Sequence, residues 1–519
     1  MPGVVMAESG LGKEIPAKLT TQVVVCSIIA AFGGLMFGYD IGISGGVTSM
    51  DDFLIKFFPA VYEKKHRAKE DNYCKYDNPY LQLFTSSLYL AAIVASWIAS
   101  FTCKKMGRKP TIVMASLFFL VGALLNVSAV NLIMLIAGRL CLGAGVGFGN
   151  QAVPLFISEI SPAKYRGALN ILFQLLITIG ILIANLINYG TSKLHPYGWR
   201  VSLGGAAVPA LILFFGSLMI VETPVSLIER GKVEEGLKTL KKIRGVENVD
   251  REFEEIFQAT ELAKSKSSFC SVFKKKSRPQ LVCGICIMVL QQFTGINVIM
   301  FYAPVLFQTM GFGSDAALLS SVVTGLVNAV STLIAIFTVD IFGRKALLIE
   351  GAFQMIVTQC ATGAILKLYL KGTNTMPPHF ATIVVGLVCV FVAGFAWSWG
   401  PLGWLISSEI FPLETRNAGY FFAVGSNMLC TFIIAQAFLT MLCHMKWGIF
   451  YFFAVWLVIA LTFTCAWMPE TKGIPIDEMN ERVWKKHWYW KKCFKNDKFV
   501  REIQTVPVKA AAEEEKTHE

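Results

Sequence analysis

Twelve runs of apolar residues, each close to the length that crosses a membrane as a helix, dominate this chain. Six lie near 20–44, 80–102, 111–128, 132–155, 168–188 and 200–221. Six more follow near 279–303, 316–338, 346–368, 381–408, 418–440 and 447–468. A bilayer core takes about 20 apolar residues per helix. Lipid offers the backbone no hydrogen-bond partners, so only helices and closed barrels span it. These runs are too long and too uniform for barrel strands. The expected fold is an all-α membrane protein with twelve transmembrane helices.

Composition agrees. Of 519 residues 54% are hydrophobic and only 16% charged, against roughly 25% charged in a soluble protein. A soluble enzyme, a disordered scaffold, a fibrous repeat and a disulfide miniprotein are excluded on that ground. The net charge of +12 lies in loops and tails, where it orients the chain rather than binding nucleic acid. Lys104, Lys105, Arg108, Lys109, Lys164, Arg166, Arg344, Lys345 and Arg416 all fall in connections on one side, as does the lysine-rich stretch 230–278. The positive-inside rule puts that side, and both termini, in the cytosol. Thirteen cysteines lie mostly within apolar runs, without a CxxC or Cys/His spacing, so no metal is expected. No cleavable signal peptide is read before the first full-length apolar run.

The chain divides into a cytosolic tail (1–19), a six-helix half (20–221) with a charged outer loop at 45–79, a cytosolic helical insert (222–278), a second six-helix half (279–468) and a cytosolic tail (469–519). The stretch WKKHWYWKKCFKNDKF from Trp484 is expected to anchor at the membrane interface, and the acidic end AAAEEEKTHE to be disordered. Three motifs recur in order. Gly-Arg-Lys stands at 107–109 and 343–345. Glu159-x-x-Pro162-x-x-x-Arg166 returns as Glu409-x-x-Pro412-x-x-x-Arg416, and Glu222-Thr223 as Glu470-Thr471. Each copy follows the second, fourth or sixth helix of its half. Two pseudo-symmetric six-helix halves of this kind describe a transporter built from parallel repeats.

The stretches GGLMFGYDIGISGG (33–46), GRLCLGAGVGFGNQAVPLFISEISPAKYRG (138–167), QQFTGINVIMFYAP (291–304), GFAWSWGPLGWLISSEIFPLETR (394–416) and PETKG (469–473) resemble the sugar porter family of the major facilitator superfamily. The resemblance covers about 20–475 and is greatest to plant sugar transport proteins, the monosaccharide–proton symporters of the plasma membrane. The chain departs from the superfamily pattern at Lys104-Lys105-Met106-Gly107-Arg108-Lys109, where Asp-Arg-x-Gly-Arg-Arg or Lys is usual. The second copy keeps Asp340 but has Ile341 in the arginine place, and after helix 6 Pro-Glu-Ser-Pro becomes Val221-Glu222-Thr223-Pro224.

Asp40 on the first helix and Arg139 on the fourth are charges at membrane depth, each costing at least about 2.5–3.5 kcal/mol when unpaired. Counting from the predicted helix ends places both in the outer half, so they are expected to meet. One reading is a structural ion pair. The other is a proton site, in which Asp40 alternates between a carboxylate paired with Arg139 and a neutral acid. The resemblance favours the second, since proton-coupled members have Asp at this place.

A sugar calls for amides that hydrogen-bond hydroxyls and aromatic faces for its C–H surface. Gln291 and Gln292 are read midway along the seventh helix, with Asn297 later on the same helix. Gln174 is on the fifth, Asn328 on the eighth and Asn427 on the eleventh. Trp404 follows Gly400-Pro401-Leu402-Gly403, where the tenth helix is expected to break. Such amides also serve as glue between helices; the resemblance places them, with Gly400, at the hexose-binding positions. Phe37, Ile41, Ile181 and Thr431 form a second rank that shapes the pocket or couples it to the proton site.

The topology puts Cys74 and Cys443 in the first and last outer loops, as two free thiols or a pair; the resemblance implies a disulfide that clamps a lid. Arg108, Glu159, Arg166, Arg344, Glu409 and Arg416, with Glu222 and Glu470, are expected to form cytosolic ion pairs that gate the cycle. Asn126-Val127-Ser128 matches a glycosylation acceptor but lies against the membrane end of helix 3. His195, His379 and His444 are read as solvated loop residues.

The sequence therefore points to a proton-coupled hexose importer working by alternating access as a single chain. Its partners would be a sugar and the bilayer, with no cofactor beyond the transported proton. A facilitative uniporter, a sugar sensor and a polyol or disaccharide carrier remain as alternatives. No nucleophile–base pair, metal set or phosphate loop suggests an enzyme.

Overall fold

The structure, a computed structural model, describes residues 19–66, 72–266, 269–309, 312–370, 376–474 and 479–494. The acidic AAAEEEKTHE stretch and most of the N-terminal tail lie outside them. Among the described residues every regular element is helical.

The first half contains α1 (Thr21–Val47), α2 (Pro79–Lys105), α3 (Arg108–Val127), α4 (Leu132–Ile160), α5 (Arg166–Thr191) and α6 (Gly198–Gly204 continuing as Ala207–Met219). The second contains α7 (Arg278–Gln292 and Ile296–Thr309), α8 (Ser314–Phe342), α9 (Arg344–Tyr369), α10 (Pro378–Trp397 and Trp399–Glu409), α11 (Arg416–Met445) and α12 (Gly448–Trp467). Among the described residues, eleven helical stretches are long and apolar enough to cross a membrane. The remaining helix, α9, carries Glu350, Gln354 and Gln359 in its middle. The chain is thus an all-α membrane protein of twelve transmembrane helices in two six-helix halves.

Helix starts follow local chemistry. Asn78 and Asn131 cap α2 and α4: the Asn78 side chain accepts from Tyr80 N at 2.9 Å and the Asn131 side chain from Met134 N at 2.8 Å. Along α8 one face is exposed and apolar (Val323, Leu326, Val330, Phe337), while the opposite face buries Ser321, Thr324, Asn328 and Thr332. This inverts soluble amphipathicity and suits a helix with lipid on one side and a polar interior on the other.

The end bearing the Gly-Arg-Lys turns is here termed the basic end, and the opposite one the lid end. The halves pack along α2–α11 and α5–α8. They are also joined at both ends. At the lid end Ser86 Oγ donates to Gln436 Oε1 at 2.6 Å and Gln82 Nε2 to Thr440 Oγ1 at 3.0 Å. At the basic end Ser100 Oγ and Gln151 Nε2 each donate to the Asn417 carbonyl at 3.1 Å.

The outer loop folds into helices Asp51–Phe57 and Pro59–His66, seated by the fully buried Phe53 against Phe84 (5.2 Å) and Trp199 (6.0 Å). It crosses to the second half through the Tyr76–Gln308 hydrogen bond and a Cys74–Cys443 disulfide, Cα–Cα 4.5 Å. Burial pushes the Tyr76 hydroxyl well above its ordinary pKa, with the Asp51 charge adding to the effect, so it remains a donor at physiological pH. Cys443 is not in a loop, as expected from sequence, but inside the last turn of α11.

The insert forms Pro224–Glu229, Val233–Arg244 and Asp250–Lys266. In the second of these, acids in the first turn and bases in the last complement the helix dipole. Arg244 docks it onto α4 by donating to the Ile160 carbonyl at 2.9 Å. Among the described aromatics of the C-terminal stretch, Trp484, Trp490 and Phe494 are buried and Trp488 and Tyr489 are exposed. Trp488 and Trp490 donate to the Ala466 and Trp467 carbonyls that end α12. The described part of the tail is thus packed on the bundle, with some of its aromatic surface free for the interface.

Candidate functional site

Asp40 and Arg139 meet as expected, and both are fully buried. Glycines bring α1 close enough to α5 to enclose them: a Cβ at Gly42 would stand 2.8 Å from the Ala184 methyl. Arg139 Nη1 donates to Asp40 Oδ1. Its Nη2 donates to Ser44 Oγ at 2.9 Å, its Nε to the Phe84 carbonyl at 3.0 Å, and the Phe84 ring lies under the guanidinium at 4.9 Å. The pair is asymmetric. Arg139 keeps neutral partners of its own, whereas Asp40 Oδ2 accepts no hydrogen bond from the protein. Asp40 therefore has an oxygen free to carry a proton, and Arg139 would stay held if Asp40 were neutral. Ser44, one turn beyond Asp40, is legible from spacing; the Phe84 carbonyl is not.

The amides assemble around two helix breaks. The seventh helix is not the continuous 279–303 span read from sequence. It stops at Gln292 and resumes at Ile296, with Gly295 between them at φ +88. Asn297 therefore lies in the second segment, and its Nδ2 donates back across the break to Gln292 Oε1. The tenth helix breaks at Ser398 (φ −125, ψ −93), just upstream of the expected Gly400-Pro401. Pro401 consequently sits in the first turn of the following segment, where a missing N–H costs nothing.

Gln291 joins the two breaks. Its Nε2 donates to the Trp399 and Gly400 carbonyls, both at 2.9 Å, and its Oε1 accepts from Asn427 Nδ2 at 2.8 Å. A Cβ on Gly403 would lie 2.6 Å from that Nε2, so glycine there leaves room for the amide. Gln174 reaches the same place from α5, its Nε2 3.3 Å from where a Gly400 Cβ would be. Trp404 is buried edge-to-face against Phe173 at 5.5 Å. Thr431, one turn along α11, donates to the Asn427 carbonyl at 2.8 Å. Asn328 stands apart on α8, its Nδ2 directed at the Met300 sulfur (3.6 Å). The Oδ1 atoms of Asn328 and Asn427 accept nothing from the protein. Phe37, Ile41 and Ile181 are buried, with Phe37 edge-on to Tyr89 at 6.5 Å.

The second segment of α7 links the two clusters. It starts at the Asn297 amide and packs on α1, where a Cβ at Gly45 would meet the backbone of Phe301. Tyr89 packs tilted against Phe301 at 5.6 Å, and Tyr302 donates to the Ala435 carbonyl at 3.0 Å. Met300, Phe301 and Tyr302 were not among the sequence candidates. Their apolar and aromatic character does not set them apart from ordinary core.

At the basic end Arg108 binds Glu159 (2.9 Å) and Glu229 (3.0 Å). Glu159 also pairs with Arg416 of the second half at 3.5 Å and accepts from Thr223 Oγ1 at 2.6 Å. In the mirror position Arg344 binds Asp340 (2.9 Å) and Glu409 (3.4 Å), and Arg166 acts electrostatically on Glu409. Glu222 pairs with Arg230 at 3.6 Å rather than with these arginines, and both it and Glu470 also take backbone groups. Glu222 accepts from the N–H groups of Arg108 and Lys109, and Glu470 from those of Arg344 and Lys345, at 2.9–3.2 Å. Each carboxylate thus caps a helix N-terminus, where the dipole favours it. The glycines of the repeated turns, at φ +104 and +87, open the way for it.

Among the other candidates, Asn126 is fully buried inside α3 and closed to glycosylation. His195 pairs with Asp52 at 2.6 Å. His379 and His444 lie within α10 and α11, not in loops.

Residues 26–483 match the family model described as sugar (and other) transporter. The chain is 61% identical over 490 residues to sugar transport protein 8 of Arabidopsis thaliana, covering 94% of this chain and 97% of that protein. It is 62% identical over 487 residues to sugar transport protein 2 of the same plant, covering 93% and 98% respectively. Among solved structures, it superposes on the major facilitator superfamily proton:xylose symporter XylE bound to 6-bromo-6-deoxy-D-glucose, with a TM-score of 0.77 and 25% identity. That match covers 89% of this chain and 99% of the symporter.

Proposed function

The chain belongs to the sugar transporter family of the major facilitator superfamily, and we propose that it imports monosaccharides together with protons. The lid end faces outward across the plasma membrane and the basic end, with both termini, faces the cytosol. Hexoses such as glucose are the cargo, and a single chain is the working unit.

The observation that carries this reading is the asymmetric, fully buried Asp40–Arg139 pair, one packed segment away from a cluster of amides. Gln174, Gln291, Gln292, Asn297, Asn328 and Asn427 hold the sugar hydroxyls, while Trp404 offers its face to the C–H surface and Gly400 leaves room for it. Sugar bound there draws the second segment of α7 toward the pocket. That segment packs on α1, so its movement changes how Asp40 faces Arg139. Protonation of Asp40 on the outer side neutralises it, and release toward the cytosol restores the ion pair. Each proton contributes about 2.3 kcal/mol per 100 mV and about 1.36 kcal/mol per pH unit. Together these support roughly five-hundred-fold accumulation.

The test is labelled-glucose uptake in cells lacking hexose carriers, for wild type and Asp40→Asn, with and without a protonophore. Concentrative uptake that collapses with protonophore and is lost in the variant is expected. Uptake that only equilibrates and ignores both would leave a uniporter with a structural ion pair. No hexose uptake from protein present at the surface would point to another substrate or to a sensor.

A further inference from the structure

The two basic-end clusters share one plan but differ at the position four residues before the arginine. In the second half Arg344 is held by Glu409 and, four residues back along the chain, by Asp340. The Gly-Arg-Lys repeat places Lys104 where Asp340 would stand, so in the first half the same position carries the opposite charge. Arg108 nonetheless has a second carboxylate. Glu229, from the first helix of the insert, reaches its Nη1 at 3.0 Å, while Glu159 takes Nη2. We propose that Glu229 replaces the missing acid of the first repeat, and that through it the cytosolic insert sets the strength of the gate between the halves. This rests on the transport reading above.

The reason lies in how Glu159 is shared. One of its oxygens faces both Arg108 and Arg416, the latter from the other half. With Glu229 present, Arg108 is neutralised within its own half, and Glu159 remains available to Arg416. Without it, the buried Arg108 guanidinium keeps the Cys103 carbonyl but has Glu159 as its one paired carboxylate, which is drawn toward it and away from Arg416. The bridge that closes the cytosolic end weakens, and the population moves toward the inward-facing form. Glu229 is therefore a positioning residue: it touches no sugar and acts through Arg108 and Glu159.

The experiment compares wild type, Glu229→Gln, Lys104→Asp and the double variant in glucose uptake, with surface amounts measured in parallel. Lys104→Asp gives Arg108 the same i to i+4 partner that Arg344 has in Asp340. Glu229→Gln is expected to lower uptake at subsaturating glucose about ten-fold at equal surface level, mainly through a raised external KM, the low end of what one lost hydrogen bond between charged groups costs. The double variant is expected to recover most of that loss. Glu229→Gln transporting like wild type, or a double variant no better than the single, would overturn the proposal. If Glu229→Gln fails to reach the membrane, recovery of surface protein and uptake in the double variant supports the proposal, and failure of both variants counts against it. Absence of uptake by wild type itself would strike the transport reading instead.

Discussion

A single primary amide, that of Gln291, ties three elements together: two carbonyls at the α10 break accept from it, and Asn427 on α11 donates to it. A sugar hydroxyl entering this network meets groups already oriented by one another, which reduces the ordering cost of binding. Gln291→Ala and Asn427→Ala should each raise the KM for sugar about 10- to 100-fold, the value of one or two lost hydrogen bonds to an oriented site. The double variant should fall short of the product, because the two residues share a bond. A strictly multiplicative effect, read from uptake kinetics, would mean that they act independently. At this scale the sequence shows much of the site, because a charge or an amide inside an apolar run needs a reason. Asp40, Arg139 and the amides stand out on that ground. Their partners do not: the Phe84 carbonyl leaves no mark in the sequence, and Glu229 reaches Arg108 from 121 residues away.

Among the elements, the break in α7 has the largest consequence. Hydropathy runs straight through 279–303, and glycine is common in membrane helices, so the pattern reads as one helix. The break lies instead in backbone conformation. Gly295 adopts φ +88, and a Cβ there would stand 2.7 Å from the Phe453 ring. A left-handed residue with a side chain costs about 1–2 kcal/mol before any clash. Gly295→Ala should therefore lower the thermal midpoint of the purified protein by several degrees. Gly190→Ala, where nothing lies within 4 Å of the added carbon, should leave it nearly unchanged. Equal midpoints for the two variants would show that the turn relaxes. The α10 break was legible to within a few residues, since Gly and Pro announce it; its location at Ser398 follows from Pro401 taking a first-turn position.

Over the whole molecule, a repeat of three motifs and twelve apolar runs was enough to read two like halves. How the halves meet was not legible, because it depends on pairings between residues hundreds of positions apart. The Cys74–Cys443 disulfide spans 369 residues and ties the lid of one half to α11 of the other. Cross-links over long loops typically contribute about 2–4 kcal/mol. Cys74→Ser should lower the midpoint, and dithiothreitol should do the same to wild type while leaving the variant unaffected. A wild-type midpoint indifferent to reductant would show that the lid is held by Phe53 and Tyr76 alone.

The proposed function makes the amide cluster and the ion pair act together, sugar and proton moving as one. The direct measurement is external alkalinisation on adding glucose to liposomes that contain the purified protein, for wild type and Asp40→Asn. Wild type should take up protons in a fixed ratio to sugar, and the variant should exchange sugar without moving protons. Sugar entry into wild-type liposomes with no proton movement, or undiminished proton movement in the variant, would contradict the assignment of Asp40.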